Sequence, residues 1–150
     1  MSQVDLPFGP APRELSIAAP ARSVRGALRV LVAWCLLVLV DVALRAGGFH
    51  RFYRMMQWWP TLRAGDAAPE RVSAICAAIA RARIYYFKHA WCLQRSAAAV
   101  CFLRLRGVPA ELVIGVRKIP FYAHAWAEVG GTVVNDQPTV RTLYPEMVRC

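Results

Sequence analysis

A thiol, an imidazole and a carboxylate are the side chains of this sequence best placed to do chemistry. Cys92 stands at the predicted start of a helix, and His124 lies in the run 121–129, which has the composition of a strand. Asp136 ends the next short apolar run, after a double glycine. In a nucleophilic triad a thiolate attacks a carbonyl carbon, an imidazole moves the proton, and a carboxylate orients the imidazole. These three residues therefore predict cysteine-nucleophile catalysis.

The positions of the cysteines and histidines separate candidates from structural residues. Cys92 in the first turn of a helix would face unpaired N–H groups and the positive dipole end, which lower a thiol pKa. Cys101 lies in the middle of the same helix among Ala, Val, Phe and Leu, as a buried structural cysteine does. His50 lies in a basic aromatic segment, and His89 lies in the connection before the helix. His124 is therefore the predicted base.

Two residues compete to orient the His124 imidazole. If residues 129–131 form a three-residue loop, antiparallel pairing sets Asp136 directly opposite His124. A two-residue loop would instead put Asn135 on the histidine face, and an amide can also serve as orienter. Glycine in the left-handed region suits the three-residue loop with its bulge, which favours Asp136. Asn135 stays open as the alternative.

The elements that would carry these residues follow from apolar spacing and from breakers. Helices are predicted over the apolar segment 30–40, from near Asp66 with Pro69 in its first turn, and from Cys92 to about Arg106. Strands are predicted over 110–118, around His124, and after the double glycine, with Pro120 between the first two. This order predicts an α+β fold in which N-terminal helices pack on a small antiparallel sheet. Residues 1–25 are predicted to be an extended or disordered arm, and 26–150 one catalytic domain.

The apolar segment 30–40 decides whether the chain spans a membrane. Arg29 and Asp41 limit it to about 11 uncharged residues, or roughly 16 Å of helix. A bilayer core needs about 20 residues. The sequence therefore predicts a buried or partner-facing helix that does not span, with peripheral membrane association as the alternative.

Charge and cysteine content narrow the function classes. The net charge of +10 comes almost entirely from scattered arginines without a nucleic-acid motif, so an acidic peptide, an acidic partner or anionic lipid is favoured over nucleic acid. The five cysteines form no metal-spaced set, and Cys35 and Cys76 fall in apolar helical runs as small core residues do. Without a signal peptide, a reducing cytoplasmic location is expected. Nothing resembles a P-loop, so no cofactor is assigned.

Several spaced motifs together resemble one family, the lasso peptide biosynthesis B2 proteins, which are transglutaminase-like cysteine peptidases. The resemblance covers about residues 85–140. It rests on Cys92-Leu93-x-Arg95-Ser96, Leu103-Arg104-x-Arg106-Gly107, Ile114-Gly115-Val116-Arg117, Phe121-x-Ala123-His124-Ala125-Trp126-x-Glu128 and Asn135-Asp136.

That resemblance implies a papain/transglutaminase-like fold in which Cys92 is the nucleophile, His124 the base and Asp136 the orienter. It implies removal of the leader from a lasso precursor peptide, with a separate recognition protein, B1, delivering the leader. A macrolactam synthetase would act next. This chain looks like the stand-alone form of the family, without a fused recognition domain. Two alternatives keep the same fold: a transglutaminase-like amidase or acyltransferase, and a peptide-binding module without catalysis.

Overall fold

Three helices precede a four-stranded sheet in the computed structural model, which describes residues 23–62, 67–119 and 121–150. The predicted α+β fold is confirmed. Most of the predicted arm, Asp66 and Pro120 lie outside the described residues. The sheet order is β3-β2-β1-β4, and its pairs are antiparallel. The elements are α1 (Val24–Trp58), α2 (Pro69–Ile84), α3 (Cys92–Leu105), β1 (Ala110–Arg117), β2 (Tyr122–Val129), β3 (Thr132–Val133), α4 (Val140–Leu143) and β4 (Glu146–Arg149).

Helix α1 is longer than its uncharged centre suggested. It covers 35 residues, and the non-helical backbone of Gly48 (φ 63°, ψ −179°) kinks it into two helical pieces. By length and composition the helix could cross a membrane, because an 18-residue window within it has a mean hydropathy of 2.4. One side of it is nevertheless fully buried at Ala33, Leu37 and Val40, within the same core as α2 and α3.

Helices α2 and α3 have the boundaries that their sequence signals predict. Pro69 is the first residue of α2, and Ile75 and Ile79 are buried on its inner face. At the end of α3, Gly107 takes φ 80°, and the Val108 N–H donates to the Leu103 carbonyl at 3.0 Å. This six-to-one bond and the left-handed glycine stop the helix as the sequence predicts.

The hairpin between β2 and β3 has a two-residue turn. Val129 pairs with Thr132 and Glu128 with Val133, so the favoured three-residue loop was wrong. Gly130 (φ 55°) and Gly131 (φ 76°) both lie in the left-handed region. A turn with two such residues matches the twist of the strands it joins, and glycine adopts it without steric cost.

Helix α4 and strand β4 close the other side of the sheet, and the sequence reasoning did not predict them. Strand β4 pairs with β1, where Val113 lies opposite Arg149 and Ile114 opposite Val148. The backbones of Leu112 and Cys150 extend this pairing by exchanging hydrogen bonds of 2.6 and 3.0 Å. β1 is therefore central in the sheet. Leu112 and Val113 point to opposite faces, and both are fully buried because Leu112 packs in the main core and Val113 packs in a second cluster with Trp126 and Val140.

Candidate active site

The first turn of α3 and strand β2 bring Cys92 and His124 together. Cys92 is the first residue of the helix, directly after the extended N-cap Trp91. Burial acts to raise the pKa of the Cys92 thiol, but the hydrogen bond to His124 and the backbone N–H groups of Ala125 and Leu93 outweigh it. The pKa of Cys92 therefore lies below its ordinary value. The sulfur is accordingly a better nucleophile at neutral pH than a free cysteine.

Asp136 completes a linked set of three side chains. Its Oδ2 lies 2.8 Å from His124 Nε2, which leaves Nδ1 of the imidazole for Cys92. The hydrogen bonds to Asp136 and then to Cys92 raise the pKa of His124 to about 9. Burial acts to raise the pKa of Asp136, yet its hydrogen bond with His124 brings that pKa below the ordinary value. At neutral pH these shifts favour a thiolate beside an imidazolium, with a carboxylate behind it.

Asn135 has a different task from the one left open by the sequence. Its Oδ1 accepts a bond from the Ala127 N–H at 2.7 Å, and its Nδ2 donates to Ser96 Oγ at 2.9 Å. The Ser96 hydroxyl donates in turn to the Ala125 carbonyl at 2.8 Å. Asn135 therefore connects α3 to β2, and the next residue in the chain, Asp136, contacts His124.

Two aromatic rings pack beside the imidazole of His124. Trp126 stacks with it at 6.4 Å between ring centroids, and Tyr144, from the end of α4, lies at 5.1 Å. Both residues also approach Gly115 of β1, where an added Cβ would come within 2.5 Å of the Tyr144 carbonyl oxygen and 2.9 Å of the Trp126 ring. The Ile114-Gly115-Val116-Arg117 motif thus contains a glycine because the aromatic wall needs the space.

A fully buried carboxylate, Glu128, fixes the position of Trp126, one of the two aromatic residues beside His124. It accepts a bond of 2.8 Å from the Trp126 indole N–H and one of 3.0 Å from Arg149, and Arg141 lies 3.4 Å away. Both arginines follow the hairpin in sequence, in α4 and β4. Alternation along β2 puts Glu128 on the same face as His124, but the sequence offered no cation for it, because those two elements were not predicted.

A second buried carboxylate, Asp41 of α1, holds the approach to the nucleophile. It contacts Lys88 in the connection before α3, and Arg45 at 3.3 Å. Gln94 in the first turn of α3 also bonds to it. Burial acts to raise the pKa of Asp41, but Lys88 and Arg45 bring it below the ordinary value. From the sequence alone, Asp41 was identified only as the charged residue that ends the apolar segment 30–40.

The remaining cysteines do not share the electrostatics of Cys92. Burial raises the pKa of Cys101 to about 12 and that of Cys76 to about 11. Cys35 is exposed, so its interpretation as a small core residue was wrong. Among residues 23–62, 67–119 and 121–150, no group of three or more His, Cys, Asp and Glu side chains is arranged to hold a metal ion.

Sequence relatives give the class of this fold. The family model described as the Transglutaminase-like superfamily matches residues 34–149, and the chain belongs to that superfamily. This confirms the fold family expected from the motifs. Over 50 residues, 33% of this chain, it is 54% identical to the Microcin J25-processing protein McjB of Escherichia coli, of which the match covers 24%. No solved structure matches this chain significantly.

Proposed function

We propose that this protein is a cysteine peptidase that removes the leader from a lasso peptide precursor. The observation that carries the proposal is the linked set of Cys92, His124 and Asp136, with a lowered thiol pKa and a raised imidazole pKa. The superfamily and the 54% identity to McjB, a microcin-processing protein, support the choice of pathway. They also support the resemblance to the lasso B2 family found in the motifs.

The proposed chemistry is acyl transfer to sulfur followed by hydrolysis. The Cys92 thiolate attacks the scissile carbonyl, and the His124 imidazolium protonates the leaving amine. Neutral His124 then takes a proton from the water that hydrolyses the thioester. Asp136 keeps the imidazole oriented and stabilises its cation. The backbone N–H of Cys92, at the start of α3, is placed to donate one bond to the oxyanion.

The proposed setting follows from the same resemblance. The substrate is the precursor peptide, a separate B1 protein presents its leader, and a macrolactam synthetase acts on the freed core. Binding of the leader by B1 would raise the effective concentration of the scissile bond at Cys92. The unpaired cysteines fit a reducing cytoplasm. No cofactor is part of this reaction.

Substitution of the nucleophile tests the proposal. The purified protein, a B1 partner and the precursor are incubated, and the products are measured by mass spectrometry. Cys92→Ala is expected to abolish leader release with its thermal unfolding unchanged, because alanine keeps the backbone at the helix start. Cys101→Ala removes the thiol of a buried cysteine in the same helix and should retain cleavage. Cleavage by the Cys92→Ala protein would contradict the assignment.

The same reaction separates hydrolysis from acyl transfer to an amine. Water at the thioester yields a free carboxylate on the leader, whereas a primary amine added in excess would yield an amide of higher mass. We expect the free acid to dominate. An amide as the main product would favour the amidase or acyltransferase alternative, and binding without any turnover would favour the peptide-binding module.

A further inference from the structure

The outward side of α1 carries a continuous aliphatic stripe. Its six members are spaced at 4, 3, 4, 4 and 3 residues and, at 3.6 residues per turn, fall within an arc of about 80° over about 27 Å. All are exposed, the five aliphatic ones by between 41% and 87%. We call this set the α1 stripe; it consists of Val24, Leu28, Leu31, Cys35, Leu39 and Val42.

The opposite side of the same helix belongs to the protein core. Ala33, Leu37 and Val40 are fully buried there, and the Leu37 carbonyl accepts a bond from the Tyr86 hydroxyl at 3.4 Å. Asp41 is tied to Lys88 on this side. Lipid cannot surround a helix that is packed in this way without taking the catalytic core apart. Any contact between α1 and a bilayer must therefore lie along the surface.

The exposed charged side chains of α1 all have one sign. Helix α1 contains five arginines and one acidic residue, Asp41, which is buried and paired with Lys88 and Arg45. Arg25 and Arg45 flank the stripe on its two sides, near its two ends, and the Arg45 side chain stays 67% exposed in its pair with Asp41. Long cationic side chains beside an apolar strip can keep their stems on it while the guanidinium reaches outward. This arrangement is complementary to a surface that is apolar inside and anionic at its edge.

We propose that the α1 stripe docks this protein on an anionic membrane surface, with α1 lying parallel to the bilayer and its aliphatic side chains inserted below the headgroups. Interfacial helices bind by apolar area together with attraction to anionic lipids, and both components are present here. A second copy of this chain would bring the same arginines into opposition. The stripe also lacks the aromatic and arginine anchors in its centre that protein interfaces use. This inference does not depend on the proposed peptidase activity.

Vesicle flotation with the full chain tests the docking. We expect the protein to float with vesicles of phosphatidylglycerol and phosphatidylcholine, and to stay behind with phosphatidylcholine alone or at high salt. The double variant Leu28→Glu, Leu31→Glu should reduce the bound fraction by at least about tenfold. Leu62→Glu is the matched control, because Leu62 is 51% exposed outside the stripe, and it should bind as the wild type does. Circular dichroism and thermal unfolding check that each variant is folded.

Three results would overturn the proposal. The first is wild-type protein that does not float with anionic vesicles. The second is equal flotation of the double variant and the wild type. The third is a dimer in sedimentation velocity without lipid that the double variant abolishes, which would assign the stripe to a second copy. If the double variant does not fold, the lipid and salt dependence of the wild type still decides between binding and no binding.

Discussion

The charge on His124 depends first on Asp136, and replacing that carboxylate isolates its effect. Asp136→Asn keeps the size of the side chain and an oxygen that can accept from Nε2, but it removes the negative charge. The pKa of His124 is about 9 against an ordinary value of 6.5, and the hydrogen bond to Asp136 is the largest cause. That difference corresponds to about 3 kcal/mol in favour of the cation. The His124 and Asp136 side chains are each 22% exposed, so solvent screens their interaction. We therefore expect Asp136 to contribute about half of this free energy.

The consequence is a shift in thiolate formation at Cys92. The pKa of Cys92 is lowered because a hydrogen bond and a charge from His124 oppose the effect of burial. In Asp136→Asn the imidazole of His124 loses its proton at a lower pH than in the wild type, and above that pH the thiolate loses this support. We expect the alkylation midpoint of Cys92 to lie at a higher pH in Asp136→Asn than in the wild type. Alkylation, and with it leader release, should fall most in the pH range just below 9, where His124 is still charged in the wild type but neutral in the variant.

Iodoacetamide labelling followed by peptide mass spectrometry measures this midpoint without any substrate. Cys76 and Cys101, with pKa values of about 11 and 12, serve as slow internal references. Glu70→Gln removes an equal charge from the first turn of α2 and should leave the profile unchanged. An Asp136→Asn profile that coincides with the wild-type profile would refute the reasoning, since His124 would then hold its charge without Asp136.

Two further substitutions test the parts that hold the site. Asn135→Ala leaves the Ala127 N–H and the Ser96 hydroxyl without their partner, so we expect a loss of about 1–3 kcal/mol in unfolding free energy, measured in urea, together with reduced turnover; unchanged stability would show that the connection is dispensable. Gly115→Ala should displace Tyr144 and lower turnover, with a smaller change in the Cys92 alkylation midpoint than in Asp136→Asn. A fully active, equally stable variant would show that Tyr144 and Trp126 can accommodate the added methyl group.

Local sequence signals were sufficient for the boundaries of α2 and α3 and for naming the candidate site residues. Pro69 and Gly107 determine where α2 begins and α3 ends because each acts through its own backbone geometry. Cys92 could be placed at a helix start for the same reason. The spaced motifs added the transglutaminase-like fold, and the superfamily match over residues 34–149 confirms it. None of these inferences needs knowledge of a distant contact.

Distant contacts are where the sequence reasoning stopped. Strand β4 is four residues long and mixes charged and apolar residues, so it shows little periodicity of its own, and its pairing with β1 joins residues more than 30 positions apart. Burial of Asp41 and Glu128 was likewise invisible. Arg45 pairs with Asp41 from the same helix, but each carboxylate also needs a cation from another element: Lys88 before α3 for Asp41, and Arg149 in β4 for Glu128. A buried carboxylate is tolerated only where such partners arrive.

The predicted three-residue loop was wrong, yet Asp136 makes the contact with His124 that it was expected to make. The end of the hairpin explains how both can be true. The two-residue turn does place Asn135 where pairing with β2 would continue, and the Val134 N–H still donates to the Ala127 carbonyl at 3.0 Å. There the ladder ends, because the Asn135 side chain takes the next backbone donor, the Ala127 N–H, and turns to Ser96. The chain leaves the strand at this point, and Asp136 returns toward His124 from outside the sheet. The residue opposite His124 can be read from the turn length only while the two strands pair without interruption. Here the Asn135 side chain interrupts the pairing, and for that reason Asp136 rather than Asn135 contacts His124.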